Sequence, residues 1–376
     1  MGECRFYPVH EQMRGLKTAF PGRRIFQFIP NLLKGDGTAD HCLAMHRLLQ
    51  MSGYESRIFA GWAHPEVAGS VSPLADLEVP DLLLFHFGGP LDLLREALDL
   101  PCRRGMVYHN VTPAHFFAPY DPQAAEMCRR GREILPALRD SFAFALADSG
   151  FNQRELAGYG YRRVQSMPFA IDWRKYGPPP AAVREGEELQ LLFVGRVVPN
   201  KKVEDLLAVV ARLRLARRGK VRLHVVGYDD PQGAYGSHLR RRATELGVAH
   251  LVHFTGRVDR ETLFAHYRRA TLFLTLSEHE GFCVPILESM YFGLPVVAYA
   301  AGAVPETVGD AGILLTAKTP AAAVAAAVEL VADGPELRRE LVSRGRLRAA
   351  ECALEQVAPR LLATLREEIE EARRPT

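Results

Sequence analysis

The chain is poor in the features that mark several large classes of protein. Its six cysteines, Cys4, Cys42, Cys102, Cys128, Cys283 and Cys352, include no CxxC pair, which argues against a disulfide framework or a paired-cysteine zinc site and for buried thiols in a reducing compartment. No stretch approaches the ~18 consecutive apolar residues of a transmembrane helix. Met1 to Phe20 carry His10, Glu11, Arg14 and Lys17 with no apolar run, so they do not read as a secretory h-region. No HExxH, GxSxG, GxxxxGKS or GxxxxGKT occurs, so zinc hydrolysis, a nucleophile-elbow esterase and a P-loop nucleotidase are poorly motivated. A net charge of +3 is too small to call for nucleic acid as a partner. The basic cluster Arg212, Arg214, Arg217, Arg218 and Lys220 has two readings, cations at the end of a predicted helix or a patch for an acidic ligand or membrane surface. The expected location is cytoplasmic, with peripheral contact at the inner membrane face left open.

What is present is an ordinary globular composition, 48% hydrophobic and 24% charged over 376 residues, enough for two α/β domains of roughly 170 to 190 residues each. Arg24–Ile29 reads as a buried strand, followed by the loop Lys34–Thr38 and an amphipathic stretch from His41 to Met51. Apolar runs recur at Ser56–Ala60, Leu82–His86, Gly105–Tyr108, Phe142–Ala147 and Gln165–Pro168, with helical patterns between several of them. Pro178-Pro179-Pro180 and the polar run Arg184–Glu188 form the clearest break. Beyond it strands are predicted at Gln190–Val194, Arg222–Val226, Leu251–Thr255, Leu272–Leu276 and Val296–Ala298, with helices Val203–Leu213 and His238–Leu246 between them and a helical segment from Ala349 to Arg374. Strands alternating with helices imply parallel sheets covered on both faces. The expected organisation is a Rossmann-like domain over residues 1–177, a linker over 178–188, a second Rossmann-like domain over 189–350, and a terminal helix over 351–376 returning toward the first. Ligands of such sheets sit beyond the carboxyl ends of the strands, so the two domains are expected to face each other across a cleft.

Two constellations fall at predicted strand ends. Gly195 and Arg196 follow one strand, and Lys201 and Lys202 stand just before the next helix, so point charges and helix amides together suit a diphosphate. The alternative is a surface loop with solvated cations. Ser277–Glu288 follows another strand; Pro285 suits the first turn of a helix, leaving Glu280 in the preceding loop and Glu288 about one turn further in. Such carboxylates bind sugar or ribose hydroxyls by charge-assisted hydrogen bonds, although an acidic helix start is also ordinary N-terminal charge design. Gly281 permits close backbone approach. In the first half, Gly35-Asp36-Gly37 reads as a tight turn, against a phosphate or sugar or merely structural. His109, followed by Asn110, stands at a strand end, where it either meets a sugar hydroxyl or serves the core. Asp229-Asp230 reads as a turn rather than a metal site.

The second half resembles the retaining glycosyltransferases of GT-B fold, family-4 type. The resemblance rests on the ordered matches Gly195-Arg196 with Lys201, His253-Phe254-Thr255-Gly256, Glu280 and Glu288 in an E-x7-E spacing, and Gly302-Ala303-Val304-Pro305-Glu306. Weaker agreement extends to Gly35–Thr38, His109-Asn110 and Ala147-Asp148-Ser149. It implies that Arg196 and Lys201 hold the donor diphosphate, Glu288 the ribose, and Glu280 the transferred sugar. Gly256 and Arg257 are then near the base, Gly281, Phe282 and Cys283 offer backbone amides, and Gly37 and His109 close the site. Two departures stand out: Lys202 where glycine often follows the lysine, and Asn110 where aspartate often follows the histidine. The resemblance implies a hexosyl transfer from a UDP- or GDP-sugar to a carbohydrate, lipid-linked or small-molecule acceptor, without a metal or other cofactor. A sugar-nucleotide epimerase of the same architecture and a non-catalytic sugar-nucleotide-binding protein are the alternatives.

Overall fold

A computed structural model describes residues 23–89, 93–180 and 188–373; Met1 to Phe20 and the acidic and basic residues of 184–187 lie outside the described residues. No described helix is long and apolar enough to cross a membrane. The described strands form two sheets of six parallel strands, so the α/β, Rossmann-like fold class holds. The chain divides into two compact units. One comprises residues up to Val111, Met127–Lys175 and Glu351 onward; the other comprises Thr112–Glu126 and Tyr176–Ala350.

The first unit contains β1 (Arg24–Leu32), β2 (Glu55–Ala63), β3 (Leu82–Phe87), β4 (Arg103–Tyr108), β5 (Phe144–Ala147) and β6 (Val164–Ser166), in the order β2-β1-β3-β4-β5-β6. Because side chains alternate along a strand, two cores form. Phe26, Phe28, Leu83, Phe85, Phe87, Met106 and Tyr108 point to one; Ile25, Leu82, Leu84, Val107, Phe144 and Leu146 point to the other. The second core is closed by helix Gly37–Met51 and by the C-terminal helix Leu354–Glu371, through Leu354, Val357, Leu361, Leu365 and Ile369. The segment expected to be helical from Ala349 is two helices, Pro335–Glu351 and Leu354–Glu371. They separate where Cys352 and Leu354 exchange backbone hydrogen bonds with Ile171, and those bonds replace the ones a continuous helix would make.

The second unit contains β7 (Leu189–Val194), β8 (Val221–Val226), β9 (Val252–Gly256), β10 (Leu272–Thr275), β11 (Val296–Tyr299) and β12 (Ile313–Leu315). The sheet order β12-β11-β10-β7-β8-β9 reverses direction between β7 and β10, the topological switch point at which open α/β sheets bind ligands. β12 has no counterpart among the expected strands, being only three residues long, and the helix expected from His238 starts at Ala234. The passage into this unit falls at Lys175 and Tyr176, ahead of the proline run, because the Tyr176 ring stacks on Phe264 at 4.9 Å and meets Tyr291 edge-on. The basic cluster lies at the end of helix Val203–Ala216, where Arg217 pairs with Asp333. Asp230 accepts amide hydrogens from Gln232 and Gly233, a turn, and Asp229 pairs with Arg240.

The C-terminal helix is also tied electrostatically. Glu368, 3% exposed, accepts two hydrogen bonds from Arg103 at 2.8 and 2.6 Å and one from Arg163 at 2.6 Å. Removing one partner of a buried pair strands the other. Arg103→Ala is therefore expected to lower stability by about 3 kcal/mol in urea unfolding, and Arg163→Ala, whose side chain is half exposed, by much less.

Candidate active site

At the switch point of the second unit, the loops after β7 and β10 meet. The Lys201 ammonium donates to both carboxylate oxygens of Glu280, each at 2.7 Å, and Glu280 is 7% exposed. Asn200 fastens the same junction: its Nδ2 donates to the His279 carbonyl at 3.0 Å, and its own carbonyl accepts the Glu278 amide at 2.8 Å. Lys202 turns elsewhere, with its Nζ 3.6 Å from both Glu204 and Glu278. Its backbone is left-handed, φ 52° and ψ 46°, which accounts for the preference for glycine there: only glycine adopts that conformation without Cβ strain. Arg196 is exposed at the mouth of the β7 loop.

The surrounding backbone is shaped by close approach. A Cβ on Gly227 would meet the Gly195 carbonyl oxygen at 2.1 Å, and one on Gly302 the Glu280 carbonyl oxygen at 2.5 Å. The Gly302–Glu306 motif thus supports the Glu280 loop from behind: the Ala303 amide donates to the Glu280 carbonyl at 2.9 Å, and the Thr307 hydroxyl donates to the Phe282 carbonyl. Cys283, at φ 76°, starts helix Val284–Tyr291 with Pro285 in its first turn. Burial pushes its thiol pKa well up, with Glu280 adding to the rise. Glu288 is 8% exposed and is held by Tyr176 and Tyr267, neither of which the spacing singles out. Gly256 ends β9 at φ 69° with open space where a Cβ would stand, and the Arg257 guanidinium lies 5.8 Å from the centre of the Tyr228 ring. Gly281 and Phe282 complete the loop between β10 and the helix.

In the first unit, Gly37 begins helix Gly37–Met51, and Asp36 caps it by accepting the amides of Thr38 and Ala39. His109 follows β4. Its Nδ1 is 2.7 Å from Asp148 Oδ2 and its Nε2 2.9 Å from His86 Nδ1, while His86 Nε2 is 3.0 Å from Gln27 Oε1. Both ring nitrogens of His109 are therefore engaged by core partners, and the side chain is 3% exposed. Gln27, His86 and His109 share one face because they keep the parity of Ile25, Leu84 and Val107 along β1, β3 and β4. The signal that marks the first two is a polar residue interrupting an apolar strand, Arg24–Ile29 and Leu82–Phe87. His41 reaches the same cluster from the helix, with Nδ1 3.7 Å from Asp148 Oδ1, and stacks on Phe169 at 4.4 Å. One ligand atom each of His41, His109 and Asp148 lies within 4.8 Å of the others, a grouping compatible with a metal ion. The 2.7 Å contact, in line with His86 and Gln27, reads as a hydrogen-bonded chain. Asn110, at φ 73°, donates to Asn152 and to Glu155 at 2.8 and 2.9 Å; an aspartate there would put a second carboxylate against Glu155.

Residues Thr112–Tyr120 form an aromatic-rich stretch in which Phe117 is buried and Tyr120 packs on Tyr235 at 5.0 Å. Of the arginines beyond it, Arg132 donates to the Val111 carbonyl and pairs with Glu155, and Arg129 pairs with Glu133.

Residues 180–348 match the family described as Glycosyl transferases group 1. Among curated proteins, a D-inositol 3-phosphate glycosyltransferase of Geodermatophilus obscurus is 33% identical over 58% of this chain and 50% of its own length. A GDP-mannose-dependent alpha-(1-6)-phosphatidylinositol monomannoside mannosyltransferase of Mycolicibacterium smegmatis is 31% identical over 45% and 47%. The chain spans about half the length of the curated relatives it matches. Among solved structures, sucrose-phosphate synthase from Thermosynechococcus elongatus superposes with a TM-score of 0.74 at 20% identity, covering 93% of this chain and all of that one. The Anabaena protein HepE, solved with UDP-glucose, gives 0.69 at 17% identity over 92% and 99%. Likeness at these identities establishes the fold.

The buried histidines set a pH dependence. Burial, then the neighbouring His109, lowers the pKa of His41 and His86 well below the ordinary value, and burial lowers His224 to about 4. Such groups protonate in the unfolded chain first. Their stabilisation is complete above about pH 6.5 and is lost as pH falls below it, for His224 down to about 4, each adding a slope of up to about 1.4 kcal/mol per pH unit. Asp148, raised by burial despite His109, acts in the opposite sense, because its carboxyl holds a proton longer in the folded state. Urea unfolding between pH 7.5 and 4.5 is expected to show net loss on acidification, with a shallower slope in His86→Asn.

Proposed function

We propose that the protein, whose residues 180–348 match the glycosyl transferases group 1, is a retaining glycosyltransferase. It moves a hexosyl group from a UDP- or GDP-sugar to a hydroxyl of a carbohydrate, lipid-linked or small-molecule acceptor. The observation that carries the reading is the Lys201–Glu280 pair at the switch point between β7 and β10: a cation for phosphate and a carboxylate for sugar hydroxyls in one part-buried contact, with Arg196 on the same loop after β7. The inositol and mannoside acceptors named for the relatives are polyols and favour an acceptor of that chemistry.

The donor's anomeric bond breaks through an oxocarbenium-like transition state while the acceptor hydroxyl attacks from the face the diphosphate leaves. Negative charge grows on the departing phosphate oxygen. Arg196 and Lys201 act on that charge, and interactions that strengthen as charge develops lower the barrier. The leaving oxygen takes the acceptor's proton. Glu280 orients the transferred sugar, Glu288 the ribose, Gly256 and Arg257 border the base, and the amides of Gly281, Phe282 and Cys283 face sugar and phosphate. The two cations neutralise the diphosphate without a divalent ion.

Calorimetry with UDP, GDP and their sugar conjugates is expected to show selective binding that Lys201→Ala and Arg196→Ala weaken, with turnover falling by about 10² to 10³ in each. Lys202→Gly, which relieves the left-handed strain and leaves the Glu280 pair intact, should keep both. EDTA should leave turnover unchanged, and NMR of the product should show the donor's anomeric configuration. Folded protein that binds none of these nucleotides would overturn the assignment.

A further inference from the structure

Three histidines that the transfer chemistry leaves unused gather at the β9 edge of the second unit's sheet. His224 and His253 are register partners on β8 and β9, so their side chains leave the same face of the sheet, opposite to Leu223 and Val225 in the core. His266 approaches them from helix Arg260–Arg269. The centre of the His224 ring lies 5.9 Å from that of His253 and 5.4 Å from that of His266. A relay of fixed polarity sets the state of His224. Glu188 accepts the Gln190 side-chain amide at 2.5 Å, which turns the Gln190 carbonyl oxygen toward His224 Nε2 at 2.7 Å. Nε2 therefore carries the proton and donates it, and Nδ1 carries the lone pair. That Nδ1 is buried and has no hydrogen-bond partner, which costs stability unless something takes up the lone pair.

We propose that His224, His253 and His266 form a binding site for a divalent transition-metal ion, zinc or a neighbour in that series, with solvent on the side where His253 is exposed. Imidazole suits such ions, and donation of the second ring nitrogen to a fixed carbonyl is the outer support that metal-bound histidines use. Burial, then His266 and His253, lowers the His224 pKa to about 4, so at neutral pH the ring is in the neutral form that ligates. Zn–N bonds of ~2.0–2.1 Å at tetrahedral angles put imidazole centres about 5 Å apart, so each outer ring has only to turn and draw in by under about 1 Å toward His224. The three rings do not converge as tightly as His41, His109 and Asp148 do. There, however, both nitrogens of His109 are committed to core partners, whereas neither His253 nor His266 makes a side-chain hydrogen bond among the described residues. The role of the ion is structural. It clamps β9, the edge strand, to β8, where the pairing shifts register between Val225 and Val226, and to the helix above.

The test uses untagged full-length protein, stripped with EDTA and titrated calorimetrically with ZnCl2 at neutral pH, with MgCl2 in parallel. One zinc per chain at micromolar Kd or tighter is expected, with no response to magnesium. Gln190→Met, which removes the outer support, should weaken zinc binding by about 10- to 100-fold, and His253→Ala and His266→Ala by more than that. Zinc should raise the Tm of the wild type and leave that of His253→Ala unmoved. Zinc binding that survives both histidine substitutions would place the ion elsewhere in the chain, and a wild type that binds no zinc would leave the cluster to packing; either result overturns the proposal. His253 is exposed, so His253→Ala carries the test if Gln190→Met or His266→Ala does not fold.

Discussion

A parallel sheet buried on both faces leaves polar side chains one inexpensive place, beyond the carboxyl ends of its strands. Both units of this protein obey that constraint, and their chemistry is confined by it. In the first, the face that is Ile25, Leu82, Leu84 and Val107 lower down becomes His86, His109 and Asp148 toward its carboxyl edge, with Gln27 reaching His86 from within β1. In the second, the apolar strands β7 and β10 give way to Lys201 and Glu280 where the strand order reverses. Many of these polar groups bond to one another, so desolvation is largely offset by hydrogen bonds, although Gln27 Nε2 and Asp148 Oδ1 are buried without a hydrogen-bond partner.

The parts of this arrangement that were legible in the sequence are those set by local spacing. Pro285 fixes a helix start, so Glu280 must precede it and Glu288 must follow within the second turn. Alternating apolar runs and helical stretches give the sheets, with boundaries shifted by a few residues. What spacing does not reveal is juxtaposition across elements: Tyr176 and Tyr267 lie 112 and 21 residues from Glu288, and nothing in their neighbourhoods marks them as hydrogen-bond donors to it. The role of Gly302 was similarly hidden, because its reason is the backbone of a loop more than twenty residues earlier. His109 was visible as a strand-end imidazole, but its two nitrogens are committed to partners that only the register of β1, β3 and β4 brings within reach.

Backbone strain follows the same geography. Asn110, Lys202 and Cys283 all have left-handed φ without being glycine, and all three lie just past strands or at the helix starts that follow them. Such positions cost roughly 1–3 kcal/mol each, and each is held by neighbours: Asn110 by Asn152 and Glu155, Lys202 by the helix it caps, Cys283 by the Ile286 amide on its carbonyl. Arg218, at φ 50° between helix Val203–Ala216 and β8, is a left-handed position outside this pattern.

The C-terminal helix Leu354–Glu371 supplies a whole side of the first unit's second core. During synthesis that side leaves the ribosome only after all of the second unit. The first unit is therefore completed after the second. Until then the apolar face of Ile25, Leu82, Leu84 and Val107 lacks its cover, and a chain cut short before residue 354 would carry a finished second unit beside an open first one, a natural target for chaperones and proteases.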